Sequence, residues 1–334
     1  MFNLRLDDIT DWIRDKRLSS VAVQLPEGLK IRATEIADHI FSETNVPVVI
    51  IGDPCHGACD MYVNYRDIAD GLVHFGHSPI SPLSDENVLF IEALADLDIR
   101  DGIERIADSL PERVGLLATV QYITALSTVK EVLEGLGKKV VIGKGDARLK
   151  YDGQVLGCNC SAAISVAKDT DCFLYIGEGD FHPLAVAFGT GKETKVLDPV
   201  TFDLRSVDDV RDRVLRKRFV AIERAKGAKS FLVVVSTKVG QRRDAVADDL
   251  MMKISSAGRK VYKAVMEEIT PDLLIAYRVD AYVNTACPRL AMDDSVRYDK
   301  PILTPPELEV AIGLREWDDY EFDEIRENLY RPAL

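Results

Sequence analysis

The residues best placed to do chemistry in this sequence are its six cysteines. Two lie in GDPCHGACD (52–60), where Cys55 and Cys59 are spaced C-x3-C around His56. Cys158 and Cys160 sit in VLGCNCSAAIS, Cys287 in NTACPR, and Cys172 opens the apolar run CFLYIG. Thiolates are the soft ligands of zinc and of iron–sulfur clusters, and an activated thiolate is a nucleophile. A C-x3-C pair alone does not separate those roles from a turn with small buried thiols. A self-contained cluster loop of the form C-x3-C-x2-C would need a third cysteine where Tyr62 stands. Either the site lies elsewhere, or its remaining ligands come from distant parts of the chain.

The elements that must position these residues repeat. Strand-like apolar runs alternate with helical segments throughout, the pattern of parallel α/β architecture, and the pattern recurs three times at a period near 110 residues. The first third offers strands in 20–30, 46–54, 71–79 and 88–93, and the second in 113–122, 138–146, 172–183 and 194–200. The last third offers them in 230–241, 259–266, 280–288 and 301–307. The expected fold is α/β, with three similar domains, each a short, mainly parallel sheet flanked by helices. Their expected spans are 1–105, 106–204 and 205–334, the last with a C-terminal tail. The charged stretch 211–226 reads as a solvated helix face. The tail from Arg315 reads as an acidic segment with aromatic anchors, packed on the surface or on a partner subunit.

In parallel α/β units ligands gather at the carboxyl ends of strands. Cys55, Cys59, Cys158, Cys160 and Cys287 fall at such ends, whereas Cys172 begins a strand and reads as a core thiol. Each unit therefore brings at least one cysteine to its functional edge. If the units pack around a common axis, three thiolates could hold an iron–sulfur cluster with one open iron, or a zinc with one open position. QLPEGLK follows the first strand; Gln24, Glu27 and the backbone at Gly28 could meet a carboxylate or ribose there. STKVGQRR follows the first strand of the third unit, so Lys238, Gly240, Gln241 and Arg242 could bind a carboxylate or amino group. Arg289 could do the same or balance the cluster's charge, and His77 could shape the site or be structural. His56 could ligate in principle, though a neighbour's role suits it better.

A net charge of −13 argues against nucleic acid, which needs a concentrated positive surface. No apolar run reaches the roughly 20 residues needed to cross a bilayer. The amphipathic start MFNLRLDDITDWIRDKR is not a signal peptide, so a cytoplasmic setting is expected. In a reducing compartment, thiols, metal ligands or redox groups are expected in place of disulfides.

The motifs QLPEGL (24–29), GDPCHGACD (52–60), HFGHSP (74–79), LGCN (156–159), STKVGQ (236–241) and NTACPR (284–289) together resemble the archaeal diphthamide synthesis family. They span all three thirds in the family's order. The resemblance implies a homodimer of three-domain protomers in which Cys59, Cys158 and Cys287 hold a [4Fe–4S] cluster. It assigns no ligand role to Cys55 or Cys160, although Cys160, with one residue between, stands as a minor alternative to Cys158. It implies reductive cleavage of S-adenosylmethionine at the bond from sulfur to the γ-carbon, giving methylthioadenosine and a 3-amino-3-carboxypropyl radical. That radical would add to an imidazole carbon of a histidine in translation elongation factor 2. An electron donor for the cluster is implied as well, and no catalytic side chain beyond the cluster ligands. Two other readings stand beside it: a zinc enzyme using the same thiolates, and a non-catalytic scaffold supporting a partner's cluster.

Overall fold

The computed structural model describes residues 2–80, 83 and 85–326. Its strands form three sheets. The first, ordered β2-β1-β3-β4, joins β1 (Val21–Gln24), β2 (Val48–Ile51), β3 (Gly71–Phe75) and β4 (Val88–Ile91). The second, β6-β5-β7-β8-β9, joins β5 (Arg113–Ala118), β6 (Lys139–Val141), β7 (Cys172–Ile176), β8 (Glu193–Leu197) and β9 (Leu204–Ser206). The third, β11-β10-β12-β13, joins β10 (Ser230–Ser236), β11 (Lys260–Met266), β12 (Ala281–Asn284) and β13 (Ile302–Leu303).

Each sheet thus repeats one strand order: second, first, third, fourth. Every pairing is parallel except β8 with β9. The central strands are buried on both faces, which explains why they read as continuous apolar runs. Reversal of the winding direction between first and third strands opens a crevice at their carboxyl ends. Loops beyond the carboxyl ends of all three sheets line one cavity.

All twelve expected strands are present, but shorter than their apolar runs. The run 172–183 ends as a strand at Ile176, and a helix begins at Phe181 (Phe181–Thr190). β9 was not expected; it lies just before the charged stretch 211–226. Ile99 and, from the helix Arg100–Ile106 that follows it, Ile103 and Ile106 pack into the core of the second sheet, so that unit's packing begins before residue 106.

The charged helix Asp208–Lys226 buries Val214, Arg218, Ile222 and Ala225 and leaves its charged residues solvated, Arg218 excepted. Arg218 is fully buried and forks onto Glu307, with Nε and Nη2 at 2.7 and 2.6 Å from the two carboxylate oxygens. It also donates to the carbonyls of Ala291 and Ile302. The described part of the tail packs inward: Phe322 stacks on Phe188 at 5.7 Å, and Asp323 pairs with buried Arg243 at 2.6 Å.

Candidate metal centre

Each candidate ligand sits on a loop locked by its neighbours. After β2 the chain turns through Ala58–Asp60, which sets Cys59. Asp60 stabilises the turn by accepting the His56 N–H at 2.7 Å and pairing with Lys238 at 2.9 Å. Gly240, from the loop after β10, lies against Cys59: a Cβ there would stand 2.6 Å from the cysteine's Cβ and 2.7 Å from its Cα. Gln241 Nε2 then donates to Cys59 Sγ at 3.3 Å.

Cys158 sits at the tip of a tight turn closed by paired backbone bonds between Leu156 and Asn159. Gly157 is required there, because a Cβ would fall 1.9 Å from the Phe181 ring. The tail reaches this loop: Ile325 N–H donates to the Cys158 carbonyl at 2.7 Å. Cys287 follows β12, where Asn284 Nδ2 donates to its carbonyl at 2.8 Å.

The three cysteines line one cavity of about 210 Å³, with His56, His77, Arg148, Phe181, His182, Gln241 and Arg289 among its other walls. Burial pushes all three thiols up in pKa, Cys287 to about 12. The Asp60 carboxylate and the two other thiols add to the shift at Cys59, while Gln241 opposes it. Arg148 and Arg243 oppose it at Cys158. Three sulfurs whose charges destabilise one another are relieved by a shared cation or cationic cluster, whose binding displaces the protons. Three thiolates with a roomy, partly apolar cavity before them fit a [4Fe–4S] cluster with one iron left open to a small ligand.

A second group of ligand-type atoms, from Cys55, His74 and His77, lies within 4.8 Å of one another. Burial pushes the Cys55 thiol up to about 12, and the two imidazoles are already bonded to each other at 3.0 Å. Neither Cys55 nor His74 reaches the cavity of the three cysteines.

Of the polar residues singled out in the sequence, His77, Gln241 and Arg289 line the cavity. Gly240 buttresses Cys59 from behind. Gln24 is buried and spent on scaffolding: its Nε2 donates to the Asp60 carbonyl and its Oε1 accepts the Tyr62 N–H. Glu27 is exposed and pairs with Lys30, and Gly28 faces open space. Lys238 is held between Asp60 and Glu268, and Arg242 pairs with Asp244 at 2.6 Å. Gln24, Glu27, Gly28, Lys238 and Arg242 are therefore not cavity walls. Cys160 is buried beside Glu324, 3.0 Å from its carboxylate, and also stands apart. Cys172 is a core thiol.

Sequence reading missed Arg148, Phe181 and His182. Arg148 Nη2 donates to the Gly240 carbonyl at 3.1 Å, so it joins the second unit to the third beside Cys158. A signal for His182 existed: the segments after the third strands read HSP (77–79), HP (182–183) and CP (287–288).

The diphthamide synthesis protein family model matches residues 25–322. The chain is 38% identical over 310 residues to the 2-(3-amino-3-carboxypropyl)histidine synthase of Pyrococcus horikoshii, covering 91% of this chain and 88% of that protein. It is 29% identical to the enzyme of the same name from Methanocaldococcus jannaschii, over 98% of this chain and 94% of that one. The crystal structure of Dph2 from Pyrococcus horikoshii with a 4Fe-4S cluster superposes with a TM-score of 0.90 at 35% identity, covering 98% of this chain and 95% of that chain.

Proposed function

Since the chain belongs to the diphthamide synthesis family, we propose that it transfers the 3-amino-3-carboxypropyl group of S-adenosylmethionine to a histidine of translation elongation factor 2, by cluster-dependent radical chemistry. That it is a transferase of the 2-(3-amino-3-carboxypropyl)histidine synthase kind rests on 38% identity across most of its length. The observation that carries the fuller reading is the meeting of Cys59, Cys158 and Cys287, from three units, on one cavity.

When bound, the cluster supplies the electron that breaks the sulfur–carbon bond of S-adenosylmethionine. The chain's own residues orient and enclose. Cys59, Cys158 and Cys287 would hold the cluster, leaving one iron without a protein ligand. Gln241 steadies the Cys59 sulfur. Arg148 and Arg289 are the cations on the cavity wall suited to the methionine carboxylate, Arg289 being braced by Asp293 and by the Phe181 ring at 5.3 Å. The apolar walls Ile80, Val120, Val155 and Leu156 exclude water from a reactive radical. A homodimer, an external electron donor and a cytoplasmic setting complete the proposal; no described helix is long and apolar enough to cross a membrane.

Anaerobic incubation with dithionite, S-adenosylmethionine and elongation factor 2 tests it. Methylthioadenosine and a modified histidine are expected. Formation of 5′-deoxyadenosine, or a colourless protein holding stoichiometric zinc in place of a brown iron protein, overturns it.

A further inference from the structure

The segments that follow the third strand of each unit, two loops and the first turn of the helix Phe181–Thr190, bring His77, Cys287 and His182 to the same cavity. The third unit uses that position for a thiol; the first two use imidazoles. Of the two imidazoles only His77 is wired to the scaffold.

The wiring begins at Gln24. Its Nε2 donates to the Asp60 carbonyl at 2.8 Å and its Oε1 accepts the Tyr62 N–H at 3.0 Å, so the amide cannot flip without losing both bonds. That same Oε1 lies 2.9 Å from His74 Nδ1, which must therefore carry a proton. Burial holds His74 neutral, leaving a lone pair on its Nε2. His77 Nδ1, 3.0 Å away, supplies the matching N–H. His77 is also kept neutral by burial, its pKa lowered to about 4, and so its lone pair sits on Nε2. The groups around that ring are of mixed sign. The Asp60 carboxylate and the carbonyls of Phe75 and His56 favour a protonated His77, and the His56 ring opposes it. His182 has no such chain: its ring stacks on Tyr175 at 6.3 Å, meets Phe181 edge-on, and is joined to no described side chain by a hydrogen bond.

We propose that His77 is the proton acceptor of the transfer reaction, with Gln24 and His74 fixing the tautomer that bares its Nε2. The inference rests on the reading given under Proposed function. Addition of the carbon radical to an imidazole carbon forms the new C–C bond and leaves an unpaired electron on the ring. Restoring the aromatic ring requires loss of one electron and of the proton on that carbon. The electron goes back to the cluster, which gave one up when S-adenosylmethionine was cleaved; the proton goes to His77 Nε2 and from there to solvent. Before the C–C bond forms, His77 has no part in bond breaking.

The two halves of the reaction separate the inference from its premise. Asn at position 77 can keep a donor toward His74 while removing the Nε2 acceptor. His77→Asn should still release methylthioadenosine, while modified histidine per methylthioadenosine falls by about 10²-fold, the usual scale of a lost general base. An unchanged ratio overturns the inference, and so does loss of methylthioadenosine in parallel with product. No methylthioadenosine from the unsubstituted protein refutes the reaction itself and the inference with it. Nitrogen-15 NMR of the histidine-labelled, cluster-free full chain reads the wiring without turnover. Bare Nε2 and protonated Nδ1 on both His74 and His77 are expected, and a protonated His77 Nε2 overturns the assignment. The NMR arm needs no variant.

Discussion

The sequence places both Gly28 and Gly240 in loops able to bind a ligand, and the structure separates them sharply. A Cβ at Gly240 would lie 2.6 Å from Cys59 Cβ, 2.7 Å from Cys59 Cα and 2.9 Å from Ile80 Cδ1. Ordinary contact begins at 3.4 Å, so Cys59 or its neighbour must move by about 0.8 Å. The two Cys59 atoms cannot swing aside as a side-chain tip can. Overpacking of this kind costs about 1–3 kcal/mol, or about 2–4 °C of melting temperature per kcal/mol. The larger consequence is at the metal, because ligand distances tolerate only about 0.2 Å. Gly240→Ala should therefore fall below half the iron of the parent protein after anaerobic reconstitution, with a melting temperature several degrees lower. At Gly28 an added Cβ meets nothing within 4 Å, so Gly28→Ala should stay within about 0.5 kcal/mol of the parent and keep its iron. Full iron and turnover in Gly240→Ala would refute the claim that this glycine sets Cys59.

The other predictions are read by similar means. Replacing Cys59, Cys158 or Cys287 with Ala should remove iron and turnover, while Cys160→Ala and Cys172→Ala keep both; iron analysis decides, and normal iron in Cys158→Ala would move the ligand to Cys160. A chain ending at Asp319 loses the Ile325 bond to Cys158 and the Asp323–Arg243 pair, and should bind cluster less tightly in a chelator challenge while its three sheets remain by circular dichroism. Arg218→Met leaves the Glu307 carboxylate buried without its partner, a loss of about 3–5 kcal/mol in urea unfolding, most of which Arg218→Met with Glu307→Leu should restore. Burial lowers the pKa of His77 and His182 from 6.5 to about 4. Between those values the unfolded chain binds more protons than the folded one, so stability must fall as pH drops from 6.5 toward 4. Urea midpoints of the cluster-free protein measure this, and a flat profile would contradict it.

Strand existence was legible because buried parallel strands are continuous apolar runs, and all twelve runs fold as strands. Their ends were not, because the same apolar run continues into a loop that carries function, as in 172–183. The meeting of Cys59, Cys158 and Cys287 on one cavity was legible because cysteines are few and these three fall after strand ends. The fate of Gln24 was hidden: a polar residue closing a strand can face a crevice or turn back to hold the next loop, and only the position of Asp60 and Tyr62 decides between them. Arg148 was hidden for a related reason, since its partners are Cys158 and the Gly240 carbonyl, the latter 92 residues away. Arg218 was read as surface because its neighbours along the helix are charged; its burial depends on Glu307.

The repeat makes the site's asymmetry informative. The first and second units place Cys59 and Cys158 after their second strands, but the third places Cys287 after its third strand. What the third unit brings to Cys59 is the loop after its first strand, with Gly240 packed against the cysteine and Gln241 bonded to its sulfur. Three copies of one fold thus bring their candidate ligands to the cavity by two different loops, so the sulfurs do not occupy equivalent positions of the repeat. Polar ties between units do that instead: Lys238 to Asp60 joins third to first, Arg148 to Gly240 joins second to third, and Gln121 to the Gly76 carbonyl joins second to first. Each ends within three residues of a cavity wall. The candidate metal centre is therefore a property of how the units dock, and no single unit contains it. A change that loosens docking should release iron before it unfolds any sheet.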